Sequence, residues 1–313
     1  MRIGLVGGAF PDVRRMLRDA LPGAELIEIA EDGNDAPAVD VLVPLGARVD
    51  ATLLDATGAR MVQQFGVGVQ GVDLDAARER GIPVTNVPGS QGNAVAVAEL
   101  AVFHLLALRR RYPQARAAVA ERHVGGPIGR TLSGSTVTVL GVGASGTALV
   151  ERLHAFRVDV WGAGRRDRAD YPDADALLAP GRYVPVARLH EALAHSDALV
   201  VCVPLTDDTL GLVGTDVLAA MPAGGLLVNV GRGPVVDRDA LLTALRSGHL
   251  AGAGLDVAWT EPIDPADELF DHDVVVTPHV AGVTEDSYRT MADTFAANVH
   301  RLERGEPLEN VVT

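Results

Sequence analysis

The chain has 313 residues, about twice the length of a typical domain, so we expect two domains. Its composition, 48% hydrophobic and 22% charged, excludes a disordered protein, because such a chain can bury a substantial core. The net charge of -14 repels phosphate backbones and anionic lipids. Neither a nucleic acid nor a membrane is therefore an expected partner.

Two residue types narrow the chemistry further. All 27 basic residues are arginine, which excludes mechanisms that need a lysine amine, such as Schiff-base chemistry or a Walker phosphate loop. Cys202 is the single cysteine, so the chain has no intrachain disulfide and no cysteine zinc cluster, and we predict no metal site. The first strand begins at once, without a long apolar leader, which favours a cytoplasmic location.

Short apolar runs alternate with helical periodicity along almost the whole chain, a pattern typical of parallel sheets covered by helices. In the first third it predicts strands at 3–7, 24–29, 39–46, 60–66 and 82–87, and helices near 12–21, 50–57 and 73–80. A long apolar helix is predicted to follow at 93–111, where it could bridge two domains.

A second series of the same kind begins after a Gly/Pro-rich segment at 125–129, the best candidate for a linker. It predicts strands at 135–140, 158–161, 198–203, 225–230, 251–257 and 273–278, with helices near 145–156, 187–194, 208–220 and 237–247. The closing stretch at 284–305 predicts an amphipathic helix that belongs to neither series by position.

A glycine array directly follows the strand at 135–140 and opens a helix. Gly141 would permit a tight turn, Gly143 would let a pyrophosphate approach the backbone, and Gly146 would let the helix pack on the strand. Ala144 and Ser145 would then present the N-terminus of the helix to the anion. We therefore predict a dinucleotide site here.

The residue after the next strand indicates which dinucleotide is preferred. Gly164 stands where an acidic residue would bind a ribose 2′-hydroxyl, and Arg165 and Arg166 follow. Two cations without a carboxylate suit a 2′-phosphate, so NADP(H) is favoured, with NAD(H) possible. The alternative is a solvated loop whose arginines contact nothing.

Three candidate catalytic residues fall at the ends of successive predicted strands, where ligands bind in open α/β sheets. Arg232 could grip a carboxylate and polarise a carbonyl, and His279 could exchange a proton near neutral pH. Glu261 would orient the ring and favour its charged form. Gly231 and Gly233 would leave room for a ligand beside Arg232. The alternatives are an ordinary helix-start arginine, a turn glutamate and a buried structural histidine.

These residues and the glycine loop, together with the segments 66–73, 93–99, 202–209 and 307–312, resemble the D-isomer-specific 2-hydroxyacid dehydrogenase family, in particular its glyoxylate/hydroxypyruvate reductases. The resemblance implies two doubly wound parallel-sheet domains. A Rossmann NAD(P)-binding domain, 94–286, would be inserted into a discontinuous flavodoxin-like substrate domain formed by 1–93 and 287–313.

The resemblance also implies the catalytic roles of Arg232, Glu261 and His279, and it adds binding residues. The amides of Val67 and Gly68 would hold the substrate carboxylate together with Arg232. The residues that it assigns to the cofactor, besides the glycine loop, are Asn93 near the nicotinamide, Asp256 at the carboxamide, and Val203, Pro204, Thr209, Val230, Gly231, Arg232, His279 and Gly282 along the remaining face.

The expected activity is hydride transfer between a nicotinamide cofactor, NADPH being favoured, and a small 2-oxo acid or D-2-hydroxy acid, with glyoxylate or hydroxypyruvate as the first candidates. Two alternatives stay open. One is a nicotinamide-sensing binding protein that resembles the C-terminal-binding corepressors. The other is a formate or phosphite dehydrogenase on the same scaffold. The apolar helix at 93–111 further predicts a homodimer built around it.

Overall fold

The computed structural model describes residues 1–8, 10–30, 32–33, 35–171 and 176–313. They form two compact units, one made of Met1–Asn93 and Thr284–Thr313 and the other of Ala94–Val283. Each unit has its own parallel sheet, as the sequence predicts. No helix in the described part of the chain is long and apolar enough to cross a membrane.

The first unit is built on a five-stranded sheet in the order β2-β1-β3-β4-β5, in which every pair of neighbours is parallel. Its strands are β1 Arg2–Val6, β2 Glu25–Ile29, β3 Val41–Pro44, β4 Met61–Gln63 and β5 Val84–Thr85. Its helices are α1 Asp12–Ala20, α2 Ala51–Thr57, α3 Leu74–Glu79 and, from the end of the chain, the last helix Glu285–Arg304. This strand order is that of flavodoxin-like folds.

The last helix is held in the first unit by both apolar and polar contacts. Phe295 is fully buried in one cluster with Ile3 and Leu17. The buried Asn298 donates through Nδ2 to the Gln63 side chain at 2.9 Å and to the Glu309 carbonyl at 3.0 Å. An amphipathic helix needs a partner for its apolar stripe, and here β1 and α1 supply it.

The second unit is built on a seven-stranded sheet in the order β12-β11-β10-β9-β6-β7-β8, again parallel throughout. Its strands are β6 Thr136–Leu140, β7 Asp159–Gly164, β8 Tyr183–Pro185, β9 Ala198–Val201, β10 Gly225–Asn229, β11 Leu250–Leu255 and β12 Val274–Val276. The strand order reverses between β6 and β9, and ligands bind at such a switch point, outside the carboxyl ends of the strands.

The helices of the second unit are α4 Ala94–Arg109, α5 Tyr112–Ala120, α6 Ala144–Ala155, α7 Leu189–Leu193, α8 Thr215–Ala219 and α9 Arg238–Arg246, so that the last helix of the chain, Glu285–Arg304, is α10. Most of the apolar side chains of α4 are buried against α6 and against β10 to β12 of the same unit. This burial explains why the helix is so hydrophobic without any second copy of the chain.

The structure corrects several predicted elements. The predicted helix at 208–220 is wrong over its first half, because Gly211 has a φ of 63° and Val213 pairs in parallel with Val236. Only α8 is helical there. The helix predicted at 93–111 ends at Arg109, and α5 follows it unpredicted. The three-residue edge strand β8 was also missed, since it is too short to show a period.

Candidate active site

The glycine loop connects β6 to α6 at the switch point of the second sheet. Gly141 has a φ of 96°, and a Cβ there would lie 2.7 Å from the Val203 side chain, so only glycine suits the turn. A Cβ on Gly146 would overlap the carbonyl oxygen of Gly141. A Cβ on Gly143, by contrast, would meet nothing within 4 Å. The first and third glycines therefore serve packing, and the second borders open space.

This loop fits the pyrophosphate of a dinucleotide. No side chain caps the N-terminus of α6, and Ala144 and Ser145 form its first turn. The amide groups of a first helical turn have no partner within the helix, and together with the helix dipole they attract an anion. The open space at Gly143 lets such an anion reach them.

The carboxyl end of β7 carries Gly164, Arg165 and Arg166. A Cβ on Gly164 would lie 2.6 Å from the Tyr183 hydroxyl and 3.0 Å from the Tyr171 hydroxyl, so two phenols fill the place of a carboxylate side chain. The Arg166 guanidinium lies over the Tyr171 ring at 4.3 Å. Arg165 is largely exposed and contacts Asp208 at 3.4 Å.

Arg232 follows β10, and its own loop holds it in place. Its Nη1 donates to the Gly231 carbonyl at 2.7 Å, and the buried Asn229 accepts from the Gly231 amide and donates to the Arg232 carbonyl. Burial lowers the pKa of Arg232, although the carboxylates of Glu261 and Asp256 oppose this effect. An arginine nevertheless stays charged in a protein, so a cation is fixed at this strand end.

The sequence suggested that the two glycines beside Arg232 leave room for a ligand. The structure shows that they do not. A Cβ on Gly231 would lie 2.6 Å from the Val203 carbonyl oxygen, and one on Gly233 would overlap the Ala258 carbonyl. Neighbouring backbone fills both spaces. The glycines therefore allow loops to pack closely around the arginine.

Glu261 and His279 form a hydrogen-bonded pair. Glu261 Oε2 lies 2.7 Å from His279 Nδ1, while Oε1 accepts from the Ala258 amide at 3.0 Å. Burial by itself raises the pKa of Glu261. The hydrogen bonds from His279 and Ala258 and the charge of Arg232 outweigh it, so the pKa of Glu261 lies below its usual range. The ring therefore faces a carboxylate rather than a carboxylic acid at neutral pH.

The backbone of His279 has a φ of 56°, which is rare for a residue with a side chain. Asp256, at the end of β11, holds this turn. Its carbonyl accepts from the His279 amide at 2.8 Å, and its carboxylate accepts from the amides of Val280 and Ala281, each at 2.9 Å. Asp256 is 1% exposed. Its first function in the structure is to shape the histidine loop, a role that the sequence did not indicate.

The remaining predicted cofactor residues of the second unit lie on loops that leave the sheet. Val203 and Pro204 follow β9, Val230 follows β10, and Gly282 lies in a turn after the histidine loop. The Thr209 hydroxyl donates to the Pro204 carbonyl at 2.7 Å and accepts from the Thr206 amide at 2.7 Å. It is thus engaged in closing its own turn.

Three predicted residues belong to the first unit. Val67 and Gly68 lie in the loop after β4, and the Val67 carbonyl accepts from Asn86 at 2.8 Å. Neither of their amides donates to another described residue. Asn93 is the last residue of that unit before α4 begins.

Sequence reasoning missed three polar residues that support the site: Asn229, Thr277 and His104. Asn229 could have been noticed as an amide at the end of a buried apolar strand. Thr277 and His104 form contacts with residues far away in the chain, and no local pattern marks them.

Comparisons with known proteins identify the family. Residues 102–281 match the family model described as "D-isomer specific 2-hydroxyacid dehydrogenase, NAD binding domain". Glyoxylate reductase/hydroxypyruvate reductase of Mus musculus is 38% identical over 280 residues, covering 86% of this chain and 82% of the relative. D-3-phosphoglycerate dehydrogenase of Archaeoglobus fulgidus is 34% identical over 276 residues, and the match covers 87% of this chain but about half, 51%, of that protein.

A solved structure is similar over the full length. The NADPH-dependent glyoxylate/hydroxypyruvate reductase of Sinorhizobium meliloti, in complex with NADP and malonate, superposes with a TM-score of 0.85 at 33% identity, covering 100% of this chain and 96% of that one. The resemblance that the sequence motifs indicate is thereby confirmed. The chain belongs to the D-isomer specific 2-hydroxyacid dehydrogenase family of NAD(P)-dependent oxidoreductases.

Proposed function

We propose that the chain interconverts small 2-oxo acids and D-2-hydroxy acids, with glyoxylate or hydroxypyruvate as substrate. The observation that carries this proposal is the Glu261–His279 pair at 2.7 Å, whose carboxylate interacts with the charge of the half-buried Arg232. Relatives that match over most of their length are named as reductases of these two compounds, which supports the choice of substrate.

The chemistry divides among three side chains. Arg232 binds the carboxylate and polarises the neighbouring carbonyl, since a guanidinium is permanently charged and bidentate. Because Nδ1 of His279 is held by Glu261, Nε2 gives the proton to the oxygen of the forming alcohol. The nicotinamide supplies or accepts the hydride when it is bound. The glycine loop and the N-terminus of α6 would hold its pyrophosphate.

The Glu261–His279 pair favours this reaction over formate oxidation. An alcohol product requires a proton on its new hydroxyl, and a histidine oriented by a carboxylate can deliver it. Oxidation of formate gives carbon dioxide, whose formation leaves no hydroxyl to protonate. A hydrogen-bonded acid–base pair would then not be needed.

A substrate panel tests the proposal. Purified chain is mixed with NADPH and with glyoxylate, hydroxypyruvate or pyruvate, and the loss of NADPH absorbance is followed. We expect turnover that falls by roughly 10²–10⁴-fold in His279→Ala. His154→Ala is the matched control, because this exposed histidine lies in the last turn of α6, away from its N-terminus.

Each other outcome identifies an alternative. A nicotinamide-sensing binding protein would bind the cofactor without turning over any oxo acid. Reduction of NAD(P)+ by formate or phosphite would instead establish the dehydrogenase of that type. Full activity of His279→Ala would remove this histidine from the mechanism.

For the cofactor we propose a preference for NADPH. The two phenols beside Gly164 exclude a carboxylate side chain there, and the Tyr171 ring orders the Arg166 guanidinium. The Tyr183 hydroxyl also donates to the Arg166 carbonyl at 2.5 Å. An ordered arginine beside a glycine, in the place where an acidic side chain would bind the ribose 2′-hydroxyl, suits a 2′-phosphate. The S. meliloti relative is named as NADPH-dependent, which supports the same preference.

Replacing Arg165 and Arg166 by alanine tests this preference. Each charge-assisted contact contributes about 1.5–3 kcal/mol, so fluorescence titration should show NADPH binding at least tenfold weaker in the double variant. NADH is the internal control, because it lacks the 2′-phosphate and its affinity should hardly change. Equal losses for both cofactors would contradict the proposal.

For the first unit, formed by 1–93 together with the end of the chain, we propose substrate binding. The amides of Val67 and Gly68, which donate to no described residue, suit a carboxylate. The second unit binds the cofactor through its glycine loop. For the assembly we propose a homodimer, supported by four exposed apolar side chains within one segment, Tyr112, Val119, Val124 and Ile128.

A further inference from the structure

A buried histidine outside the proposed catalytic trio is hydrogen-bonded to the loop that carries His279. His104 lies on α4, is fully buried, and places Nε2 3.0 Å from the Thr277 hydroxyl. The Thr277 hydroxyl lies 2.6 Å from Asp256 Oδ1. The three side chains come from α4, from the end of β12 and from the end of β11, all within the second unit.

The Asp256 carboxylate, with which the hydrogen bonds from His104 through Thr277 end, determines the direction of each bond. A carboxylate accepts and does not donate, so the Thr277 hydroxyl donates to Asp256. The oxygen of that hydroxyl therefore accepts from His104, whose proton must be on Nε2. His104 Nδ1 is left with a lone pair and finds no hydrogen-bond partner in the described part of the chain. Burial lowers the pKa of His104 to about 4, so the ring is neutral at pH 7.

The cost of burying this ring calls for a physical reason. The neighbouring buried side chains on α4 are apolar, among them Ala101, Leu105 and Leu108, and a leucine would suit the same face. Leaving Nδ1 unpaired in the interior is unfavourable. Gly254 of β11 makes room for the ring, because a Cβ there would lie 2.8 Å from the His104 Cβ and 3.0 Å from Nδ1.

The connection to the site runs through Asp256. Its Oδ1 accepts from both Thr277 and the Val280 amide, while Oδ2 accepts from the Ala281 amide. These bonds fix the turn that holds His279 at its positive φ. A hydroxyl that could rotate away would leave the Asp256 carboxylate, and with it the histidine loop, less well ordered.

We propose that His104 is a positioning residue for catalysis, which orients the Thr277 hydroxyl toward Asp256 and thereby holds the loop that presents His279. This inference rests on the proposed function, because it takes His279 as the proton donor. It differs from the proposed roles of the trio in that His104 touches neither substrate nor cofactor.

A double-mutant cycle tests the inference. His104→Leu and Thr277→Val should each lower kcat for the oxo acid by about five- to tenfold, the value of one lost buried hydrogen bond. The KM for the oxo acid and the Kd for NADPH should stay within about twofold. Because both changes break the same chain of bonds, the double variant should be no slower than either single variant.

Two conservative variants and a spectrum separate positioning from packing. His104→Gln and Thr277→Ser keep a donor and a hydroxyl, so both should recover most of the lost kcat. Nitrogen NMR of the labelled enzyme should show His104 with its proton on Nε2 at pH 7. A proton on Nδ1, or multiplicative losses in the double variant, would overturn the inference.

The result for His279→Ala distinguishes this inference from the proposed function. If His279→Ala is inactive while His104→Leu has the kcat of the native chain, the positioning role alone is wrong. If His279→Ala is fully active, the proposed function fails first, and the positioning role fails with it. Should His104→Leu not fold, His104→Gln and Thr277→Val still decide the question, since both leave a side chain of similar volume in place.

Discussion

The carboxylate of Glu261 determines, at the scale of single residues, what the His279 ring can do. One of its oxygens lies within hydrogen-bonding distance of His279 Nδ1, and the other accepts from the Ala258 amide. Its pKa lies below the usual range despite partial burial. An ionised carboxylate can accept the hydrogen bond of the ring, which fixes the orientation of the ring. The pair is therefore suited to give up a proton during reduction and to take one during oxidation.

Replacing Glu261 by glutamine removes the charge and keeps the shape. The ring then keeps only a neutral hydrogen-bond partner in place of an ionised one, so kcat for oxo-acid reduction and for hydroxy-acid oxidation should each fall by about tenfold. NADPH binding should hardly change. The measurement is kcat in both directions together with the Kd for NADPH. Glu268→Gln is the control, and an unchanged kcat in Glu261→Gln would contradict the pairing.

His104 predicts a second pH effect, this time on stability. The unfolded ring binds a proton below about pH 6.5, whereas the folded ring stays neutral down to about pH 4. The unfolded state therefore gains protons first, and the free energy of unfolding falls as the pH drops through this interval, by roughly 3 kcal/mol for this one group. Urea unfolding at pH 7, 6, 5 and 4.5 should show a shallower decline in His104→Leu than in the native chain.

At the scale of elements, the turn between β6 and α6 separates two uses of glycine. Gly146 lies where a Cβ would overlap the Gly141 carbonyl, while Gly143 faces open space with an extended backbone. Gly146 is thus required by the packing of the helix on the strand. Gly143 is required only if a ligand must approach the backbone of the loop closely.

Alanine at each of the two positions should separate folding from binding. Gly146→Ala forces α6 away from β6 and should destabilise the chain by about 1–3 kcal/mol. Gly143→Ala should fold with unchanged stability, yet its methyl group should obstruct the pyrophosphate and weaken NADPH binding by at least tenfold. Thermal unfolding and fluorescence titration measure the two effects. Normal NADPH binding by Gly143→Ala would argue against a pyrophosphate at this turn.

At the scale of the whole molecule, the segment after α4 exposes several apolar side chains. Val119 is 77% exposed, Val124 is 93% exposed and Ile128 is 89% exposed, although all three are large apolar side chains. The predicted basis for a dimer, the apolar surface of α4, is mostly buried within its own unit. The proposed self-association therefore depends on residues 112–128 rather than on the helix.

Light scattering after gel filtration tests this assembly. The native chain should elute at twice the mass of one chain, 32.7 kDa. Val124→Asp combined with Ile128→Asp should give a monomer, because two charges would be buried in the contact. Val311→Asp, at an exposed apolar residue near the end of the chain, is the control and should stay dimeric. A native chain with the mass of a single copy would refute the dimer.

Local patterns in the sequence were sufficient to predict the class of fold and the positions of the main candidate residues. The alternation of apolar runs and helical periods predicts parallel α/β units, and the spacing of Gly141, Gly143 and Gly146 predicts a strand-turn-helix. Each of these signals depends on residues close together in the chain. The helix predicted at 208–220 failed for the opposite reason, because the pairing of Val213 with Val236 outweighs the local periodicity.

The sequence by itself determined the family, the glycine loop and the three polar residues at strand ends. Each of these features depends on a short segment, whose local structure is set by residues close together in the chain. Only the tertiary structure decided that backbone fills the space beside Gly231, and that His104 supports Asp256 through Thr277. His104 and Thr277 are 173 positions apart in the chain. Such a contact depends on how a helix packs across two strands of one sheet, and no period or motif along the chain encodes it.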